Sequence, residues 1–189
     1  MKQGKLIIFS APSGAGKTTI VKYLLSTDLP LSFSVSAASR DKRSNETDGK
    51  DYYFIKPIVF KQKINNDEFL EWEEVYKDHF YGSLKSEATR IWKNDQHVLY
   101  DVDVIGGLNI KKFYGDRALA VFVMPPSYEE LEKRLRARST ESEENILRRL
   151  AKAKHELSFA DKFDTILVND KIEEAKKEAY DLVSNFIYN

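Results

Sequence analysis

A glycine-bearing loop joins a short apolar run to a helical pattern near the start of the chain. Residues 5–9 have the length and β-branched content of a buried strand, and apolar side chains recur at helical spacing after Lys17. Residues 10–19 between them read Ser-Ala-Pro-Ser-Gly-Ala-Gly-Lys-Thr-Thr. A strand, such a loop and a helix in this order form the context in which a phosphate-binding loop is credible. The unit therefore predicts a P-loop at the start of an α/β fold.

The residue types in the loop suit a triphosphate. Gly14 and Gly16 let successive backbone N–H groups converge on one anion, and the helix N-terminus adds its unpaired donors. Lys17 supplies a mobile charge for the β- and γ-phosphates, and the Thr18 hydroxyl can ligate Mg²⁺. Ala11 stands where the strict pattern has glycine. The alternative is an ordinary strand, turn and helix with a surface lysine; the context favours a nucleoside triphosphate site.

Composition restricts the partners. The 189 residues, 42% of them hydrophobic, fit one core with inserted subdomains. Thirty basic and thirty acidic side chains cancel, so we expect no general attraction to nucleic acid or to a membrane. The chain has no cysteine, which excludes disulfides and thiolate metal sites. His79, His97 and His155 show no ligand spacing. With no visible signal peptide, we expect a cytoplasmic protein.

Strand-like and helix-like segments alternate along much of the chain. Residues 97–101, 118–124 and 165–168 read as further core strands, each followed by a helical pattern. A capping box at residues 127–130 opens one helix, and Asp170 with Glu173 is expected to open the last. Such alternation predicts a parallel sheet flanked by helices, with ligands at the carboxyl ends of its strands.

Two segments interrupt this alternation. Between about residues 36 and 86 the sequence is polar, aromatic and strand-like, which predicts a small inserted mixed-sheet subdomain. Residues 134–157 are rich in arginine, lysine and glutamate with few bulky apolar side chains, which predicts a mobile helical lid. We therefore expect one domain over 1–189. Its parts are a core (about 1–35, 87–126 and 160–189), a nucleotide-binding subdomain (about 36–86) and a lid (about 127–159).

Several motifs in order make the chain resemble the guanylate kinase family. They are residues 10–18 (SAPSGAGKT), 36–43 (SAASRDKR), 49–52 (GKDY), 69–72 (FLEW), 81–83 (YGS), 101–103 (DVD), 134–138 (RLRAR), 149–150 (RL) and 168–170 (VND). The resemblance implies a P-loop nucleoside monophosphate kinase that transfers a phosphoryl group from ATP to GMP, with Mg²⁺ as cofactor. It implies ATP, GMP and also dGMP as substrates. The oligomeric state stays open between monomer and homodimer.

The resemblance also implies a GMP site. Its residues are Ser36, Arg40, Arg43, Tyr52, Glu71, Tyr81, Ser83 and Asp103. Two guanidinium groups three residues apart can converge on one phosphate, with phenolic hydrogen bonds added. A carboxylate is the natural partner of the adjacent N1–H and N2–H₂ donors of guanine, and it disfavours adenine. Taken singly, the arginines could be a solvated loop, the tyrosines packing residues, and Glu71 the outward position of a strand.

The donor and catalytic residues follow from the same resemblance. The implied ATP-contacting residues are Ala11, Pro12, Ser13, Gly14, Ala15, Gly16, Lys17, Thr18, Thr19, Arg134 and Asn169. The implied catalytic residues are Lys17, Arg43, Arg138 and Arg149, and the implied metal residues are Thr18 and Asp101. The lid arginines would close onto the transferring group, whereas the alternative for them is i,i+4 pairing on an exposed helix.

The sequence departs from the family pattern at two places, and two alternative functions stay open. Ile105 occupies a position where family members often have glutamine, and one extra residue is present around 77–79. The first rival is a kinase for AMP or a pyrimidine monophosphate, in which Glu71 and Asp103 would have no guanine donors to bind. A binding module of the scaffold-protein type, which has lost phosphate-loop residues, is the second rival; Lys17 and Thr18 argue against it.

Overall fold

The core of the protein is a five-stranded parallel sheet. A computed structural model describes residues 4–138 and 142–189, except for the side chain of Arg138. Within these described residues the strands are β1 (Leu6–Ser10), β2 (Leu31–Phe33), β3 (Ala37–Ala38), β4 (Tyr53–Phe54), β5 (Phe69–Tyr76), β6 (His79–Leu84), β7 (His97–Asp101), β8 (Ala118–Met124) and β9 (Thr165–Val168). The core sheet has the strand order β2-β7-β1-β8-β9 with parallel pairing throughout. The predicted α/β class with a parallel sheet is confirmed.

Helices cover both faces of this sheet. Those that do so are α1 (Lys17–Leu25), α3 (Lys85–Trp92), α4 (Val104–Tyr114) and α7 (Ile172–Tyr188), and α2 (Pro57–Asn65), α5 (Tyr128–Arg138) and α6 (Glu143–Leu157) lie elsewhere. Alternate β1 side chains point to opposite faces: Ile7 and Phe9 pack with α1 and α7, and Leu6 and Ile8 pack with α3 and α4. All four are fully buried, which explains why β1 reads as a continuous apolar run.

A second sheet is mixed and smaller, with the order β4-β3-β6-β5. Its β5 and β6 form an antiparallel hairpin, whereas β3 and β4 pair in parallel. Phe60 of α2 stacks on Phe69 and Phe80 with ring centroids 4.4 and 5.3 Å apart, which gives this sheet a core of its own. The hairpin turn uses Asp78 with φ of 62°, beside a register irregularity between Glu74 and Tyr76.

Of the two predicted helix caps, one is confirmed and the other is wrong. Ser127 accepts the Glu130 N–H at 3.1 Å, which confirms the cap before α5. The predicted cap at Asp170 is wrong, because α7 has Lys171 as its N-cap without a side-chain cap bond. Asp170 instead belongs to the preceding connection, where its carbonyl oxygen faces Arg134 at 3.4 Å.

The helices α5 and α6 pack on each other through their own apolar cluster. Leu131 and Leu135 of α5 meet Ile146, Leu150 and Ala153 of α6, and all five are buried. This pair therefore buries more than its charged sequence suggested. Among the residues that the structure describes, no helix combines the length and the apolar character that crossing a bilayer requires.

Candidate active site

The loop between β1 and α1 forms a cradle of backbone donors. Gly14 and Gly16 have φ of 94° and 96°, a region that residues with a Cβ rarely adopt. A Cβ on Gly16 would also collide with the amide of Asn169, which lies behind the loop and donates to the Ala15 carbonyl oxygen at 2.7 Å. The loop lines a pocket of about 340 Å³. Its backbone therefore has the geometry that the P-loop pattern predicted.

Lys17, the first residue of α1, lies between two acceptors. Its Nζ is 2.5 Å from Asp101 Oδ1 and 2.7 Å from the Val102 carbonyl oxygen. Thr18 Oγ1 donates to the other Asp101 oxygen at 3.3 Å. Because β1 and β7 are parallel neighbours, their carboxyl ends bring the loop and Asp101 together. The two metal-ligand candidates, Thr18 and Asp101, are thus in direct contact beside the P-loop lysine.

A neighbouring pocket of about 320 Å³ lies on the outer side of the loop. Thr19, Arg134, Asn169 and Ile172 contribute to its lining. Arg134 donates to the Asn169 carbonyl oxygen at 3.0 Å and pairs with Glu130 at 2.9 Å. The i,i+4 pair foreseen as an alternative for the lid arginines is therefore present, but this arginine also reaches the β9–α7 connection.

Two residues of α6 contact the tip of the loop. Arg149 donates to Ser13 Oγ at 2.6 Å. Glu156, two turns further along the helix, accepts the Ser13 N–H; burial raises the pKa of its carboxyl, and the charge of Asp103 acts in the same direction. Arg138 ends α5, and its side chain lies outside the described part of the chain. Glu156 was missed by sequence reasoning, although its spacing from Arg149 places both on one helix face.

Arg40 is the centre of a second cationic site, on the mixed sheet. Its Nε donates to the Tyr81 hydroxyl at 2.9 Å, and its guanidinium lies 5.4 Å from the ring centroid of Tyr52. Tyr52, Tyr81 and Ser36 contribute to a pocket of about 150 Å³. Glu71 and Asp103 line the same pocket, so the structure gathers six of the predicted GMP-site residues here.

Arg43 and Arg40 differ in their surroundings. Glu46 accepts two hydrogen bonds from the Arg40 guanidinium at 2.6 Å each, and a third from the Arg43 N–H at 2.8 Å. The Arg40 bonds hold the pKa of the Glu46 carboxyl at about 2. The Arg43 side chain is exposed to solvent. Sequence reasoning missed Glu46, whose only signal was an acid three residues after Arg43 in a polar loop.

Two carboxylates face each other between the cationic sites. Asp103 is the N-cap of α4, and its Oδ1 accepts the Gly106 N–H at 2.8 Å. Glu71 of β5 accepts a hydrogen bond from Ser83 at 2.6 Å. A Cβ on Gly106 would lie 3.0 Å from Glu71 Oε2, so glycine leaves the room that this carboxylate occupies. Ser83 is fully buried and orients Glu71 from behind.

The environment of Glu71 weakens its acidity. Burial raises the pKa of its carboxyl to about 7, and the negative charge of Asp103 adds to the rise, while the Ser83 hydrogen bond opposes it. Both carboxylates also line a pocket of about 310 Å³ under α6, with Ile105 and His155 on its wall. Ile105, the departure from the family pattern, is half exposed there.

Comparisons with known proteins agree with this geometry. The family model described as guanylate kinase matches residues 3–186. A guanylate kinase of Bacteroides fragilis is 52% identical over 98% of this chain and 91% of its own length. One from Porphyromonas gingivalis is 49% identical over 97% of this chain and 98% of its own.

A solved structure gives the same result in three dimensions. The crystal structure of guanylate kinase from Anaplasma phagocytophilum superposes with a TM-score of 0.75 at 25% identity, covering all of this chain and 89% of its own. The match therefore extends over the core sheet, the mixed sheet and the helical pair alike. On sequence and on structure, this chain belongs to the guanylate kinase family.

Proposed function

We propose that the two pockets align ATP and GMP for direct phosphoryl transfer, giving ADP and GDP. Membership of the family implies this ATP:GMP phosphotransferase activity. The observation that carries the assignment of residues is a shared wall: Asp101, Val102 and Asp103 line both the P-loop pocket and the pocket beside Arg40. A donor phosphate at Lys17 and an acceptor phosphate at Arg40 would therefore face each other across these three residues.

The acceptor side binds GMP through its phosphate and its base. Arg40, Tyr52 and Tyr81 hold the phosphate, and Arg43, whose side chain is exposed, turns inward to bridge both substrates. The attacking oxygen belongs to an ionised phosphate, so the reaction needs positioning and charge neutralisation more than a general base.

The guanine ring is read by carboxylates. Glu71 accepts from guanine N1–H and N2–H₂, and Asp103 presents the oxygen that α4 does not use. Ser83 fixes Glu71, and Ser36 adds a hydroxyl at the pocket edge. Adenine would place an acceptor against Glu71 and leave the carboxylate unpaired, a mismatch that sites of this kind reject by about 10⁴-fold.

On the donor side, residues 11–19 surround the triphosphate and Lys17 follows the transferring group. The adenine lies in the outer pocket near Arg134, where Asn169 supports the loop from behind. We propose residues 127–159 as the lid. Its Arg149 already reaches Ser13, and Arg138 joins the phosphates on closure.

The residues present suit a magnesium ion bound with ATP. Thr18 Oγ1 and the Asp101 carboxylate are hard oxygen donors in mutual contact. Within residues 4–138 and 142–189 no cluster of three His, Cys, Asp or Glu side chains could hold a metal alone. Mg²⁺ bound with a nucleotide keeps water and phosphate oxygens as most of its ligands, so it needs few from the protein. Thr18 would hold it directly and Asp101 through water; when bound it neutralises charge on the β- and γ-oxygens.

The assignment predicts selectivity for GMP among monophosphates. Initial rates with GMP, AMP, CMP, UMP and dTMP are measured at fixed ATP, with and without Mg²⁺. We expect GMP to exceed AMP by at least about 10³-fold in kcat/KM, because only guanine satisfies Glu71. Comparable rates with AMP would reject the base assignment, and an inactive chain would favour the binding module.

The raised pKa of the Glu71 carboxyl predicts a pH dependence of GMP binding. Its pKa of about 7 means that the carboxyl becomes protonated as the pH falls from 8 to 6. A protonated carboxyl offers one acceptor fewer to guanine, so the KM for GMP should rise about tenfold over this range. The KM for ATP should change much less.

A matched control distinguishes titration of Glu71 from titration of the GMP phosphate. The phosphate of GMP also titrates near pH 6, and Glu71→Gln retains that titration while removing the carboxyl. The variant should have a weak GMP affinity with a flatter pH profile. An unchanged profile in Glu71→Gln would attribute the effect to the nucleotide instead.

A further inference from the structure

Glu87 is a buried carboxylate outside the cleft described above. It lies in the first turn of α3 and is 3% exposed. The same helix places Ala88, the following residue, and Ile91, one turn further, in the apolar core with Val98 of β7. Glu87 is therefore held on a rigid part of the core, and a buried charge there requires partners.

Four hydrogen bonds satisfy this carboxylate. Arg90 donates to both of its oxygens, at 2.7 and 2.9 Å. The Val35 N–H donates at 2.9 Å, and the Tyr53 hydroxyl donates at 2.9 Å. Burial alone would raise the pKa of the Glu87 carboxyl, but these donors outweigh it and lower the pKa. The group thus stays charged at neutral pH.

The partners of Glu87 lie where the chain crosses between the two sheets. Ser34 N–H still bonds to Leu99 in the core sheet, at 3.0 Å, whereas Ser36 carbonyl already bonds to Tyr53 in the mixed sheet, at 2.9 Å. Val35, between them, is the point of crossing. The chain returns through β6 into α3, and Glu87 is the third residue of that helix. The Glu87 carboxylate therefore lies on the returning segment, from β6 into α3, and bonds to Val35 on the outgoing segment, between β2 and β3.

Tyr53 extends this contact to the acceptor pocket. It lies on β4 directly after Tyr52, the ring that faces Arg40. Its own ring packs with the apolar cluster of the mixed sheet. A bond from the Tyr53 hydroxyl to Glu87 thus connects the pocket-bearing strand to a core helix.

We propose that Glu87 is a positioning residue that sets the angle between the mixed sheet and the core, and with it the placement of GMP opposite the P-loop. This inference rests on the proposed function of the mixed sheet as the GMP site. The carboxylate restrains Val35 at the crossing and Tyr53 inside the sheet, so rotation of one sheet against the other must stretch one of these bonds. Glu87 itself does not contact the substrates.

Tyr53→Phe tests this with little disturbance, because the ring and its packing are kept. We expect kcat/KM for GMP to fall about tenfold, as for the loss of one hydrogen bond to a charged group. The KM for ATP should stay within about twofold of its original value. Glu87→Gln, which keeps the shape but removes the charge and replaces one acceptor oxygen by an amide N–H₂, should act in the same direction. The control is Tyr180→Phe, which removes a tyrosine–carboxylate bond of 2.9 Å to Asp28 far from both crossings.

A distance measurement makes the test independent of catalysis. The chain has no cysteine, so spin labels at Lys50→Cys and Lys177→Cys report the separation of the mixed sheet from the core in the nucleotide-free protein. Tyr53→Phe should broaden or shift this distribution, and Tyr180→Phe should not. Tyr53→Phe could instead leave the distance distribution unchanged, or leave kcat/KM for GMP unchanged and lower only the melting temperature. Either result would contradict the proposal and would mean that Glu87 only stabilises α3. A wild type that does not phosphorylate GMP would refute the proposed function. The distance measurement would then still show whether Glu87 sets the angle between the two sheets.

Discussion

Replacing Lys17 by alanine is expected to lower kcat by about 10³-fold. A preorganised cation aimed at developing charge in the transition state is worth about 10²- to 10³-fold in rate when removed, and Lys17 is the ammonium at the centre of the loop pocket. Its second role adds to the loss, since the alanine variant leaves Asp101 without the ion pair at 2.5 Å. Steady-state rates at saturating ATP and GMP measure the effect, and circular dichroism checks that the fold is retained.

Lys22→Ala is the matched control for this variant. Lys22 lies on the same helix α1 with an exposed side chain, so its removal changes net charge and helix propensity equally. It should leave kcat within about twofold of the original. A folded Lys17→Ala variant with nearly full activity would remove this lysine from the transfer step and would reopen the binding-module interpretation.

Replacing Glu71 by alanine is expected to raise the KM for GMP by about 10²- to 10⁴-fold. Two hydrogen bonds from guanine to a charged acceptor are lost, at about 1.5–3 kcal/mol each. The buried Ser83 hydroxyl also loses its acceptor at 2.6 Å, which adds to the cost. Discrimination against AMP should shrink by a similar factor, because the unpaired carboxylate that rejects adenine is gone. The KM for ATP should remain nearly unchanged.

Glu74→Gln serves as the comparison for this second variant. Glu74 lies on the same strand β5 but bonds to the hairpin turn through the Asp78 N–H at 2.8 Å, away from Asp103. It should leave both KM values near those of the original chain. If Glu71→Ala binds GMP as tightly as Glu74→Gln does, Glu71 does not contact the base and the guanine assignment is wrong.

The elements predicted best from the sequence are those whose signal is local. The strands at residues 97–101, 118–124 and 165–168 occur with the predicted bounds, since buried parallel strands are short apolar runs. The loop and the start of α1 follow from glycine conformation and helix periodicity. Parallel pairing then suffices to bring Asp101 to Lys17, so this part of the candidate site was predictable as well.

The remaining features depend on contacts between distant segments. Glu87 has three bonding partners, and only Arg90 lies at a helical spacing from it on α3. Tyr53 of β4 and Val35 at the β2–β3 crossing are connected to it by no spacing rule. The cap at Asp170 was misjudged because Lys171 takes that position, while Arg134 from α5 binds the connection before it. The surroundings of Arg40 and Arg43 differ because Glu46 bonds to the Arg40 guanidinium but to the backbone N–H of Arg43, which a motif cannot specify.

The pairing of Lys17 with Asp101 and of Arg40 with Glu46 has a consequence for ligand choice. Each of these cations has an internal counterion, so a nucleotide phosphate that binds to either cation would have to displace it. A small anion such as free phosphate brings charge but no base or sugar to compensate for breaking such a pair. Whole nucleotides are therefore favoured over fragments of themselves.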